Sequence, residues 1–92
     1  MFELTGFKRD ILTIADGLDD PNGLEIKAEL EDYYEGEINH GRLYPNLDDL
    51  VDRGLLEKGK ADERTNSYSL TGQGVKALEE RREWEDQYVD VQ

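Results

Sequence analysis

The stretch Gly41-Arg42-Leu43-Tyr44-Pro45-Asn46-Leu47-Asp48-Asp49-Leu50-Val51-Asp52-Arg53-Gly54 decides the fold. Leu43, Leu47, Leu50 and Val51 recur on one helical face and Gly54 supplies a C-terminal stop, so the spacing predicts a helix over about Gly41 to Arg53. Pro45 has no amide to donate and is tolerated in the first turn, where amides lack an intrahelical partner. Regular helix therefore starts no earlier than about Gly41, with Tyr44 in a distorted first turn. Burying the leucines turns Arg42, Asn46, Asp49 and Arg53 away from the core.

Downstream, Leu55 to Lys60 and Ser67 to Leu70 read as two short strands around a polar tip, Asp62-Glu63-Arg64-Thr65-Asn66. Thr71 caps a last helix running to about Tyr88, with Val75 and Leu78 on one face and Ala77, Trp84 and Tyr88 on another. Upstream, Phe7, Ile11, Ile14 and Leu18 step at helical period behind an N-cap at Thr5, with Gly17 as the stop. Asn22 and Glu25 form a capping-box variant that opens a second helix, ending near Gly36, with Ile26, Leu30 and Tyr33 on one face. The order helix, helix, helix, hairpin, helix is that of a winged helix-turn-helix: mainly α with a small β-hairpin, its third helix able to enter a DNA major groove.

The 92 residues suit a single domain over 1–92. Leu, Ile, Val and Phe supply 22 of them, enough for a folded core. The net charge of −12 argues against nucleic acid, because phosphate contacts need positive charge. That total is uneven. Residues 1–37 hold eleven acids and three bases, whereas residues 38–70, the segment expected to meet DNA, hold six acids and five bases. Acid spread along the whole chain suits a protein kept soluble in concentrated salt, where self-repulsion is screened; ordinary surface acidity is the plain alternative. The absence of cysteine excludes disulfides, thiolate zinc and a thiol switch. No apolar run reaches the roughly 20 residues of a membrane span, and Met1 to Thr5 lacks the regions of a signal peptide, so a soluble cytoplasmic protein is expected.

Gly41-Arg42-Leu43-Tyr44-Pro45-Asn46-Leu47, then Leu50 and Arg53-Gly54-Leu55-Leu56, resembles the signature of PadR-like transcriptional regulators. Gly23-Leu24-Glu25-Ile26 and Tyr68-Ser69-Leu70-Thr71, leading through Gly74, agree with it, and the resemblance covers roughly Leu4 to Leu78. It implies a dimeric DNA-binding repressor whose third helix reads a palindromic operator and whose C-terminal helix joins the subunits. On that reading residues 4–70 are the DNA-binding core, 71–88 the dimerisation helix and 89–92 a tail. A single terminal helix is similar to the small subgroup of the family and leaves little material for a small-molecule pocket at the dimer interface; any effector is unknown.

At the start of the third helix, Arg42 suits a guanine edge or a phosphate, Asn46 an adenine, and Tyr44, the motif tyrosine, a phosphate oxygen. The plain alternative is a solvated helix face with Tyr44 in the core. Asn39 and His40 stand just before the helix, where His40 suits a phosphate contact or a capping role. Arg53, the wing bases Lys58, Lys60 and Arg64, and the pair Lys8-Arg9 complete the expected DNA contacts. Ala77, Arg81, Trp84 and Tyr88 form the expected dimer stripe, since so small a core cannot cover it; the alternative is folding back onto the first helix.

No enzyme is expected. Asp19-Asp20 and Asp48-Asp49 are pairs an acidic surface produces by chance, and no nucleophile, base and orienting group converge. No metal or cofactor is expected: a lone histidine makes a poor metal site, a calcium loop placed on Gly23 would need an oxygen ligand where Leu18 stands, and Gly72 and Gly74 lack a phosphate loop's lysine. The rival to a DNA-binding regulator is a winged-helix module that binds protein instead, which the net charge favours.

Overall fold

In the computed structural model, which describes residues 4–89, each helix opens on a side-chain cap. Thr5 accepts from the Lys8 amide, Asn22 from Glu25, Asn39 from Arg42 and Thr71 from Gly74, each satisfying an amide that has no partner inside its helix. The resulting elements are α1 (Gly6–Gly17), α2 (Gly23–Tyr34), α3 (His40–Asp52), β1 (Leu56–Lys60), β2 (Asn66–Leu70) and α4 (Gly72–Asp86). This is the winged helix-turn-helix order. At the start of α2 the capping box is complete, Glu25 accepting from the Asn22 amide at 2.9 Å while Asn22 accepts from the Glu25 amide at 2.8 Å.

α1 packs against α2, α3, α4 and β2, which makes it the centre of the domain. That explains why its buried face is wider than the sequence suggests: Leu12 and Ala15 are buried beside Phe7 and Ile11, while Ile14 is only partly so. Ile26, Leu30, Ile38, Leu43, Leu47, Leu50, Leu56 and Tyr68 close the core around it. The expectation for Tyr33 needs correction: it is 73% exposed, and the next residue, Tyr34, turns inward to pack on Phe7 and donate its hydroxyl to the Asp10 carboxylate.

α3 begins one residue earlier than expected, so Pro45 is its sixth residue and lies in the second turn, with Tyr44 in regular helix. The missing amide leaves the Gly41 carbonyl without its usual partner. Gly41 and Pro45 are both exposed, where water can serve that carbonyl, and Gly41 has no side chain to crowd the ring. Gly54, at φ +77°, then turns the chain into β1, a conformation that favours glycine.

β1 and β2 form an antiparallel wing in the register Leu56↔Leu70, Lys58↔Tyr68 and Lys60↔Asn66. Of β1, only Leu56 is buried. The wing is tied back to the α1–α2 connector by the Tyr68 amide donating to the Pro21 carbonyl at 2.8 Å and by a bridge between Asn22 and Ser67. α4 is pinned at its start: the Thr71 hydroxyl donates to the Gly54 carbonyl at 2.6 Å and the Thr71 amide to the Leu55 carbonyl at 3.1 Å. It ends at Asp86, two residues short of Tyr88. Of the expected tail, 90–92 lie outside the described residues.

Candidate nucleic-acid interface

α3 presents three strips to its surroundings. Leu43, Leu47 and Leu50 are buried, and Gly41, Pro45, Asp48 and Asp52 face solvent opposite them. Between these, Arg42, Asn46, Asp49 and Arg53 form a ridge alongside α1. The ridge is held by ion pairs: Asp49 Oδ2 accepts from Lys8 Nζ at 2.9 Å and from Arg53 Nε at 2.7 Å. These two bases hold the Asp49 carboxyl below the usual carboxylate range. At the other edge of the exposed strip, Lys58 of the wing lies 3.4 Å from Asp48. Three of the bases expected to meet phosphate are thus already paired with aspartates of α3.

Arg42 is placed differently. Its guanidinium lies over the Phe7 ring, Cζ 3.9 Å from the ring centroid, and no ion pair engages it among the described residues. Asn46 donates one hydrogen of its side-chain amide to the Arg42 carbonyl at 2.7 Å, which fixes the amide while its second hydrogen and its oxygen take no bond among the described residues. Asn39 uses its side-chain oxygen to cap α3, accepting from the Arg42 amide at 2.8 Å. His40 is exposed, its ring edge-on to Tyr44 at 5.5 Å.

Tyr44 stands on the opposite flank of α3 from Arg42. It is half-buried over Gly23, where a Cβ would meet its hydroxyl at 2.5 Å and its ring at 2.8–2.9 Å, and it borders a cleft with Asn22, Leu24, Arg64, Asn66 and Tyr68. The motif tyrosine therefore joins α3 to the start of α2 and to the wing. In the wing tip Asp62 accepts from the Arg64 amide at 2.8 Å, which with Thr65 holds its carboxyl below the usual range, so this acid serves the turn. Lys60 and Arg64 are exposed there.

Arg9 is not brought to this face. It donates to the Leu4 carbonyl at 2.6 Å and lines a groove between α1 and α4 with Asp10, Val75, Leu78 and Arg81. The dimer stripe also needs correction at Ala77, which is only 7% exposed and packs inside its own chain. Its own chain covers the small side chain that the sequence assigns to a partner. Farther along α4, Arg81 lies over Trp84 at 4.6 Å, Trp84 is 49% exposed and Tyr88 72% exposed.

Phe7, Asp48 and Asp49 are the interface residues that sequence reasoning missed as participants. The i,i+4 spacing of Asp49 and Arg53 signals one pair. The Lys8–Asp49 pair and the Phe7–Arg42 contact join residues remote in sequence and leave no local trace.

The Transcriptional regulator PadR-like family matches residues 11–80 of the chain. No curated protein matches it. Among solved structures, H. salinarum RosR grown from NaBr is 50% identical over 98% of this chain and 82% of its own, with a TM-score of 0.88. The same RosR in the hsRosR-SG complex is 49% identical over 99% of this chain and 80% of its own, with a TM-score of 0.91. Streptococcus pneumoniae FabT in complex with DNA shares the fold at 15% identity, covering 92% of this chain and 57% of its own at a TM-score of 0.76.

Proposed function

Because the chain belongs to the PadR-like family of transcriptional regulators, and is not an enzyme, we propose that it acts in the cytoplasm as a two-fold homodimer that represses by occupying a palindromic operator in double-stranded DNA. Each protomer lays α3 in the major groove, and half-sites recur about one helical turn, roughly 34–36 Å, apart. The observation that carries the reading is Arg42, an exposed guanidinium at the start of α3 that no carboxylate neutralises among the described residues. Arg42 and Asn46 read bases, Lys8, His40, Tyr44 and Arg53 with Lys58, Lys60 and Arg64 of the wing track phosphates, and Asn39 sets the helix start. The DNA complex of FabT, with which this chain shares its fold, supports DNA as the partner. Trp84 and Tyr88 supply the exposed part of the dimer surface, flanked by Arg81.

Mobility shifts on the DNA upstream of the protein's own gene, against a scrambled duplex over a range of salt, test this reading. Wild type shifts the specific duplex and Arg42→Ala loses the preference. A wild type that never discriminates between the duplexes overturns the reading. The acids Asp48 and Asp52 on the outermost strip of α3 favour a second reading, in which this face docks a basic protein surface. Equal and negligible affinity for both duplexes is the outcome that supports it.

A further inference from the structure

Phe7 sits in the core yet gives one ring face to the surface, and that face is where Arg42 rests. The ring itself is fixed. It packs at 6.1 Å on Tyr34, whose hydroxyl is held by Asp10, so α1 and the end of α2 brace it from behind. At the base of the side chain, the Asn39 cap fixes the Arg42 backbone. A guanidinium lying 3.9 Å from a ring centroid is held through its face, which leaves the N–H donors around its edge free. None of those side-chain donors takes a hydrogen bond among the described residues.

The contrast with the other bases is instructive. Lys8, Arg53 and Lys58 are positioned by carboxylates, contacts that occupy their donors and that salt weakens at the surface. An aromatic shelf occupies no donor, and burial of the ring shields it from ions. We propose that Phe7 is a positioning residue for DNA sequence recognition: its ring face pre-orients the Arg42 guanidinium so that the free fork meets the paired acceptors of a guanine edge, and does so in concentrated salt. The proposal rests on the DNA-binding reading above and adds to it a residue that touches no DNA.

The test is a double-mutant cycle on the ratio of affinities for operator and scrambled duplex, using Phe7→Leu, Arg42→Ala and the pair, with Phe7→Tyr as the ring-preserving control. Wild-type discrimination is measured first, and its absence refutes the DNA-binding reading itself before any variant is compared. Loss of a bidentate guanine contact lowers the ratio about tenfold per half-site in Arg42→Ala, about a hundredfold for the two-fold complex. Phe7→Leu lowers it about three- to tenfold with scrambled binding within about twofold of wild type, Phe7→Tyr restores it, and Phe7→Leu changes nothing on the Arg42→Ala background. An equal cost of Phe7→Leu on both backgrounds overturns the proposal, because a purely structural role acts without Arg42. So does an Arg42→Ala loss shared equally by operator and scrambled DNA, which marks a phosphate contact. Should Phe7→Leu fail to fold, wild-type NMR decides. The Arg42 side-chain protons are expected upfield from the ring current, unchanged from about 0.2 to 3 M KCl as screening tightens, and their appearance at ordinary positions overturns the proposal.

Discussion

Replacing Asp49 by Asn should make DNA binding tighter at low salt and more sensitive to salt. One carboxylate is shared by two bases, Lys8 at 2.9 Å and Arg53 at 2.7 Å, so the three groups together carry a net charge of +1. The substitution would raise that to +2 while keeping the side chain's size. Because its carboxyl is held low by those bases, Asp49 stays ionised wherever duplex DNA is stable, and no mild acid condition mimics the substitution. Each additional phosphate neutralised steepens the plot of log affinity against log salt by about 0.9, so the ratio of mutant to wild-type affinity should fall about eightfold per decade of salt for each protomer. In a two-fold complex the factors multiply to roughly sixtyfold. Anisotropy titrations of labelled operator from about 0.1 to 1 M KCl measure both slopes, and the curves should converge at the upper end, where the Debye length is about 3 Å. Asp52→Asn removes the same charge from an exposed site and serves as a control for the general field. Parallel slopes for wild type and Asp49→Asn, or weaker binding by the variant at every salt, would refute the reasoning.

Burial, with the hydrogen bond to Asp10 second, pushes the Tyr34 hydroxyl from 10.0 up to about 12, so the stability it contributes is complete below pH 10 and is lost as pH rises towards 12. Urea midpoints should fall over that window and fall less in Tyr34→Phe, with Tyr68, also raised by burial, supplying part of what remains; equal pH dependence in the two proteins contradicts this assignment. Gly74→Ala should destabilise by about 1–3 kcal/mol in chemical denaturation, because a Cβ there runs into the Leu55 carbonyl, which cannot rotate aside. That cost outweighs the roughly 1 kcal/mol by which alanine favours a helix over glycine, and an unchanged or raised midpoint would show that the close approach is absent. Trp84→Ala should reduce the mass in light scattering from dimer to monomer, whereas an unchanged mass moves the interface off the end of α4.

Features encoded within a few residues were legible in the sequence. The caps at Thr5, Asn22 and Thr71 act over three positions, and the hairpin announces itself by strand residues around a polar tip, so element order and the winged fold follow from local chemistry. What escaped depends on neighbours distant in sequence. Tyr33 and Tyr34 both continue the apolar face of α2, and only Phe7 and Asp10 of α1 decide which turns inward. Ala77 looks like part of an aromatic stripe, and only the packing of its own chain, which joins residues far apart in sequence, buries it. Pro45 was placed by a rule about amides, and exposure of both Pro45 and Gly41 relaxes that rule by a turn. The side chains of Arg42, Asn46 and Arg53 were legible as facing away from the leucines, but not the ion pairs and ring contact that fix where they point.

The same pairs change what a net charge of −12 means for a DNA-binding surface. Asp48 and Asp49 hold the side chains that phosphates need, and Asp62 is turned into its own loop, so half of the six acids in residues 38–70 have structural partners at the interface. When Lys58 moves to a phosphate, or when Lys8 and Arg53 both do, a carboxylate is left behind. The exchange frees a counterion from DNA and draws one to the protein. The net release per contact is therefore smaller than for a base that starts unpaired, and the affinity should fall less steeply with salt than the number of basic residues implies. At molar salt the Debye length is about 3 Å, so repulsion from distant acids is screened out, while the 2.7–2.9 Å contacts are weakened less. Concentrated salt thus removes the long-range penalty of an acidic protein approaching an acidic polymer at a smaller cost to the short contacts that orient it, and an Arg42 held by a ring instead of a carboxylate has no pair to exchange at all.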